Sequence, residues 1–510
     1  MPEPAWAEGY VVDIGYTHGY YRELAPSALR FVTLLGGVRS PDPAAPFVYY
    51  ELGCGNGHST ALHAAANPSG NFYGVDFNPM HIHHARRLAQ YGGIGNAHFL
   101  ETSFAELVEA DLPEADMVVM HGVHSWISRE NRAHIVEFLR RRLKPGGLVH
   151  VSYNCLPGLA QVAPLQRLLM EHAHLSGGAL PERVRGALDF ARRFEQTGAH
   201  YFAANPLAKA RLAHLGGQDP TYLAHEYFNA NWSPSYHADV ARELAAAKLS
   251  YVGSAVIMDN FDQFVLKPEV TEMLAGIGDR TLAETLRDYA RNQVFRRDVF
   301  ARGAPRADAA ELEATLSGTC FALLRPRPLC RLTGKTPLGE VTLRTEAYAP
   351  VLDALARAPM TLAELLSAPE TAALDRVHTR QAVFGLAALG NLAVALPAAG
   401  EAERRAATDR YNAAILARPA AHPGGTMLAS PVLGCGVPAS LIDLLLLADT
   451  GGEDGAAERV MDALAAGGHK LQKDGKALED RDELRILVEA RTRSFHAAQL
   501  PFLRLAGVTG

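Results

Sequence analysis

Cysteine is scarce in this chain and follows no pattern. Cys54, Cys155, Cys320, Cys330 and Cys435 are odd in number, widely spaced and free of any C-x-x-C. That excludes a disulfide framework and a cysteine-based zinc site. Positive charge is also short, with 49 Lys plus Arg against 55 Asp plus Glu and a formal net charge of −6. No basic surplus marks a nucleic-acid binder, so no nucleic-acid partner is expected. The longest apolar run, near Leu441–Ala448, is broken by Asp443 and far too short to span a bilayer. The opening Met-Pro-Glu-Pro-Ala-Trp lacks the charged-then-apolar pattern of an export signal. A cytoplasmic location without stable membrane association is therefore expected. Neither an internal repeat nor a low-complexity tail is visible. What is present is a core-forming composition, 48% hydrophobic over 510 residues, enough for two to four domains.

The densest signal lies in Phe47-Val-Tyr-Tyr-Glu-Leu-Gly-Cys-Gly-Asn-Gly-His-Ser59, which reads as an apolar strand, a glycine turn and a helix start. Glu51, Gly53, Gly55 and Gly57 spell E-x-G-x-G-x-G. Glycines let the backbone turn sharply and approach a ligand closely. A second strand, Asn71–Asp76, ends in an acid 19 residues after Gly57. A carboxylate at that point of a nucleotide-binding α/β sheet accepts ribose hydroxyls, so an adenosine-containing ligand is predicted. A dinucleotide site wants G-x-G-x-x-G with a helix start facing a pyrophosphate. The spacing here, with an acid before the first glycine, resembles motif I of class I S-adenosylmethionine (SAM) methyltransferases. SAM has no phosphate but carries an ammonium and a sulfonium, which suit an acidic strand end.

The remaining pattern predicts an α/β fold: a Rossmann-like class I methyltransferase sheet with a helical lid insertion, then helical and winged-helix-like C-terminal domains. Pro79 opens a helix to about Tyr91, as proline favours the first helical position. Further strands are expected at Ala97–Glu101, Met117–Met120 and Leu148–Asn154, with a helix over Arg129–Leu143 between the last two. The Lys144-Pro-Gly-Gly147 turn leads into the fifth strand. The sheet is expected to finish with helix Pro234–Leu249 and a hairpin of Tyr251–Val256 and Phe261–Leu266. The expected organisation is 1–156 SAM-binding core, 157–227 helical lid, 228–267 end of the core, 268–340 helical middle, 341–398 winged-helix-like and 399–510 helical. Within the middle region, the basic run Arg291–Arg302 reads as a solvated helix face. Helices Ala347–Ala356, Thr361–Leu366 and Val377–Leu389 followed by Leu392–Leu396 carry the winged-helix reading, as a protein-interaction rather than a DNA-reading unit.

Ligand sites in open α/β folds lie beyond the carboxyl ends of the strands. Thr102, Ser103 and Phe104 follow the third strand and are expected at the adenine, with Tyr16, Phe77 and His121 also near the cofactor. The candidate catalytic residues are Tyr20, His121, Trp126, Tyr153 and Glu226. The aromatic groups would flank a sulfonium through cation–π attraction. His121, His124 or Glu226 could take a proton from the acceptor. The His81, His83 and His84 cluster sits early in a helix without a matching carboxylate pair, so no metal is expected. An N/D-P-P-Y/F motif is absent after the fourth strand, where H-G-V-H-S-W stands, which argues against planar amide or base nitrogens as acceptors.

Y-T-H-G-Y-Y-R-E-L, E-L-G-C-G-N-G, H-G-V-H-S-W-I-S, L-K-P-G-G-L-V-H-V-S-Y-N-C-L-P-G, A-H-E-Y-F-N and F-R-R-D-V-F together resemble bacterial methyltransferases with a methyltransferase regulatory domain. That group includes the rickettsial-type protein-lysine methyltransferases. The resemblance covers residues 10–305 and, more loosely, the C-terminal region. It implies a SAM cofactor, a helical segment over the cleft, and a C-terminal domain for homodimerisation or substrate docking. Methyl transfer to protein lysines is the leading expectation, with Glu51 facing the methionine ammonium and Asp76 the ribose. The alternatives are a small-molecule methyltransferase and a SAM-binding scaffold without turnover.

Overall fold

The computed structural model describes residues 19–473, 476–478 and 480–509. After α1 (Pro26–Leu35), the chain alternates strand and helix: β1 (Phe47–Leu52), α2 (His58–Ala66), β2 (Gly70–Asp76), α3 (Pro79–Tyr91), β3 (Ala97–Glu101), α4 (Phe104–Glu109), β4 (Ala115–Met120), α5 (Arg129–Arg142) and β5 (Leu143–Asn154). The strands are nearly continuous apolar runs because helices cover both faces of the sheet. Tyr49, Tyr50, Phe72, Val118 and Val149 are fully buried. β1 pairs in parallel with both β2 and β4. The chain therefore winds outward in both directions from β1 and β4, and a crevice opens at their carboxyl ends.

Five helices follow: α6 (Ala163–Leu175), α7 (Leu180–Gln196), α8 (His200–Ala204), α9 (Pro206–Leu215) and α10 (Pro220–Tyr227). They bury a core of their own, including Leu165, Leu169, Val184, Leu212 and Phe228. Then come α11 (His237–Ala245), β6 (Leu249–Ser254), α12 (Asp262–Val265), α13 (Pro268–Ala275), α14 (Arg280–Arg291) and β7 (Phe295–Arg302). The seven strands lie in the order β3-β2-β1-β4-β5-β7-β6, with β7 antiparallel to both neighbours.

This corrects two expectations. The last hairpin strand is not Phe261–Leu266, most of which is the short helix α12. It is Phe295–Arg302, the segment read as a solvated basic helix face, and the core closes there rather than at residue 267. The charges misled because they are neutralised inside. Arg296 is buried and contacts Asp298, Asp288 and Glu284 at 2.9, 2.6 and 3.0 Å. Alternation does the rest: Arg296, Asp298 and Phe300 share one face of the strand, and Val299 and Ala301 the other.

Beyond β7, strands Cys320–Leu323, Met360–Thr361 and Leu392–Val394 form a three-stranded antiparallel sheet. The region 268–340 is therefore not helical throughout. The helices expected between residues 347 and 389 are present within two residues at each end. The C-terminal region also departs from an all-helical expectation. A hairpin of Thr426–Ser430 and Cys435–Ala439 packs with helix Glu401–Leu416 on α2. The Asn67 side chain donates to Gly434 O at 3.0 Å and Ser27 Oγ to Leu433 O at 3.3 Å. No helix among the described residues is long and apolar enough to cross a membrane.

Candidate functional site

The turn after β1 builds the floor of the site. Gly53 and Gly57 have φ of +72° and +75°, in the left-handed region that favours glycine. A Cβ on Gly53 would sit 2.5 Å from Val123 Cγ2, and one on Gly57 would meet Ala85 Cβ at 2.6 Å and Phe99 at 2.7 Å. Nothing lies within 4 Å of a Cβ built on Gly55, which faces the open crevice. The Gly53 and Cys54 amides both donate to Val75 O, at 2.8 and 3.0 Å, tying the turn to β2.

Asp76 holds the turn from the other side. One carboxylate oxygen accepts from the Gly55 amide at 2.9 Å. The other accepts from the Asn78 amide at 2.9 Å and lies 3.2 Å from His81 Nδ1. Glu51, at the end of β1, is buried and accepts a hydrogen bond from the Thr60 hydroxyl. Burial pushes its carboxyl up to about 7, the Thr60 contacts hold it back, and the Asp76 charge adds to the rise. Ser103 caps α4 in a reciprocal pair with Glu106, its amide donating to that carboxylate at 2.9 Å. This fixes Thr102, Ser103 and Phe104 at the rim.

These residues line one cavity of about 1230 Å³, counting its open mouth. Glu51, Gly53, Gly55, Asp76, Phe77, Thr102, Ser103, Phe104, His121 and Trp126 all border it. A second cavity, of about 1460 Å³ with its mouth, adjoins it and shares Tyr21, His121, Gly122 and Trp126. Its outer wall comes from α9 and the start of β7. Burial pushes His121 down to about 2, with His150 and Arg297 adding to the fall. Its ring lies 3.7 Å from that of Tyr21, centroid to centroid.

Two expected mouth residues point elsewhere. Tyr20 is directed at the C-terminal hairpin, its hydroxyl accepting from the Gly436 amide at 2.6 Å. Tyr153, near the end of β5, is fully buried and donates to Asp298 at 2.7 Å. His124 also turns away, to Glu243 at 3.1 Å. Glu226 falls in α10, but its side chain, like Tyr16, lies outside the described residues. Tyr21 takes the place read for Tyr20. The extended backbone at Tyr21 (φ −122°, ψ 104°) sends successive side chains to opposite sides, so the tyrosine pair was the available signal and the phase was not. Asn131 and Asn231 also border the first cavity and carried no pattern in the sequence.

The strand order, the glycine turn and the acid closing β2 define a class I SAM-dependent methyltransferase. Residues 50–149 match the family described as "Methyltransferase domain", and residues 219–302 the "Predicted methyltransferase regulatory domain". The chain is 38% identical over 505 residues to the uncharacterized protein sll1526 of Synechocystis sp., covering 99% of this chain and 100% of that one. It is 25% identical over 291 residues to the uncharacterized protein RP789 of Rickettsia prowazekii, covering 56% of this chain and 51% of that one. The fold matches PKMT2 from Rickettsia typhi, in complex with AdoHcy, with a TM-score of 0.70 at 19% identity over 97% of this chain and 99% of that one. The protein belongs to the bacterial class I SAM-dependent methyltransferases that carry a methyltransferase regulatory domain.

Proposed function

We infer that this enzyme methylates lysine side chains of proteins. The observation that carries the reading is the collar of Tyr21, His121 and Trp126 shared by the two cavities. An aromatic passage between a cofactor cleft and a second, open chamber suits the alkyl stem of a lysine. The resemblance to rickettsial protein-lysine methyltransferases supports the same reading.

The residues present fit SAM. Gly55 leaves open space at the turn, and Glu51 offers a buried carboxylate that no cation among the described residues relieves. Bound SAM supplies an electrophilic methyl group on its sulfonium. Glu51 is assigned to the methionine ammonium, Asp76 to the ribose, and Phe77 with Thr102, Ser103 and Phe104 to the adenine. Gly53 and Gly57 hold the turn. His121 stays neutral at physiological pH and is too weak a base to take a proton from an ammonium. The acceptor amine therefore sheds its proton to water before it enters, and Trp126 and Tyr21 align it. Alignment is the main contribution such a site makes to an in-line displacement.

Protonation of Glu51 competes with the ammonium. SAM affinity should be greatest above pH 7 and fall by up to about tenfold per pH unit below it, since binding requires the ionised carboxylate. Calorimetry across this range reads the slope, and Glu51→Gln should flatten it. A flat profile for the unaltered protein would remove Glu51 from this role.

The function itself is tested by incubating the protein with labelled SAM and a lysate of its own cells, then locating the label by mass spectrometry. Label on lysine side chains is the expected result, and Trp126→Ala should slow its transfer about 100-fold with little change in SAM affinity. Label confined to small molecules would overturn the protein-lysine reading.

A further inference from the structure

The second cavity has a one-sided charge. The charge comes from Arg211 on α9 and Arg297 on β7, with the imidazoles of His121 and His214 beside them, while no Asp or Glu is among its described lining residues. The two arginines differ. Arg297 is committed: its Nε lies 3.0 Å from the Glu23 carboxylate and its guanidinium sits 5.2 Å from the Phe295 ring centroid. Among the described residues, the partner of Arg211 is neutral. Its Nε donates to the Tyr227 hydroxyl, and its guanidinium lies 5.6 Å from that ring's centroid. No carboxylate among the described residues pairs with it. A guanidinium so oriented keeps the outer edge of its planar fork for an incoming anion. Asn154 and Asn292 add neutral polar groups to the walls.

We propose that this chamber reads a carboxylate beside the methyl-accepting amine, so that the acceptor lysine sits in an acidic peptide segment with Arg211 seating a flanking Asp or Glu. The proposal rests on the lysine reading above and names which lysines are taken. A bidentate arginine–carboxylate pair gives both strength and direction to the contact. The same positive walls repel a protonated lysine and admit the neutral amine that can attack, since a cation near an amine disfavours its charged form. A small amine carrying its own carboxylate offers the same chemistry, and the test separates the two sources.

The full-length protein is given SAM and synthetic peptides with one lysine flanked by Asp and Glu, by Asn and Gln, or by Arg, with ε-aminocaproate as the small carboxylate amine. The acidic peptide should exceed the neutral one by about tenfold in kcat/KM, the basic one should be poorest, and Arg211→Glu should reverse the order. SAM affinity, measured separately, should not change in that variant. Equal rates for all three flanks, or an order unchanged in Arg211→Glu, would overturn the proposal. If ε-aminocaproate alone is methylated and Arg211→Glu abolishes it, carboxylate recognition stands and the protein-lysine reading falls. Fluorescence anisotropy of the acidic and neutral peptides on protein saturated with S-adenosylhomocysteine gives a readout that needs no turnover. The acidic peptide should bind more tightly and lose about tenfold in Arg211→Glu, and equal binding of the two peptides would overturn the proposal.

Discussion

Asp76→Ala should weaken SAM binding by about 100-fold or more in a protein that still folds. An ionised carboxylate offers four acceptor positions. In Asp76 three are taken by the Gly55 amide, the Asn78 amide and His81 Nδ1, which leaves one for a ligand hydroxyl. The substitution removes that position and also unties the glycine turn and the start of α3. Hydrogen bonds to a charged group contribute roughly 1.5–3 kcal/mol each, and a loss of about 3 kcal/mol corresponds to roughly 150-fold in affinity. Asp76→Asn keeps one acceptor oxygen and should lose less, about tenfold. Calorimetry measures both, with thermal melting to verify the fold. A folded Asp76→Ala protein with ordinary SAM affinity would end the assignment of this residue to the ribose and the turn.

Arg296→Met should cost about 3–5 kcal/mol of stability, the range for breaking a buried ion pair by removing one partner. The guanidinium contacts Asp298, Asp288 and Glu284, and the first two carboxylates are almost wholly enclosed. Burial pushes the Asp298 carboxyl up, yet Arg296, with His237 and Tyr153, brings it down to about 2. Asp288 is raised by burial to about 6 despite the same arginine. Without Arg296, Asp298 would lose its main lowering influence and Asp288 would rise further. The sign of the pH dependence follows. An acid whose folded pKa is raised destabilises above its unfolded pKa and ceases to do so once protonated, so the deficit of Arg296→Met should be larger at pH 8 than at pH 5. Urea unfolding at the two pH values checks this, and a deficit independent of pH would mean that the carboxylates are neutralised by something else.

The parallel half of the sheet was legible because each signal was local. Phe47–Leu52 and Asn71–Asp76 are apolar runs closed by a glycine turn and an acid, and both strands and the cavity residues they carry stand where the pattern puts them. The errors share a different cause. Phe295–Arg302 reads as a charged surface unless Asp288 and Glu284, from α14, are known to lie beneath it. The Thr426–Ala439 hairpin is short and carries Gly436 and Pro438, so nothing in its own sequence distinguishes it from a loop. Tyr20 and Tyr21 could not be told apart because the phase of that segment is set from residue 436, 416 positions along the chain. Tyr153 was misplaced for the same reason: its partner Asp298 lies 145 residues away.

The position of β7 has a consequence for how the chain is made. β5 ends at Asn154 and its neighbour β7 begins at Phe295, with α6 to α10, β6 and α11 to α14 synthesised between them. At translation rates of about 5–20 residues per second, the free edge of β5 waits roughly 7–28 s for its partner. That edge runs through Leu148, Val149 and Val151, which are fully buried once β7 arrives, and an unpaired apolar edge is a template for association with other chains. Nascent chains stalled before residue 295 are therefore the form of this protein with the greatest need of a chaperone, and a gene truncated there should yield aggregate rather than a smaller enzyme.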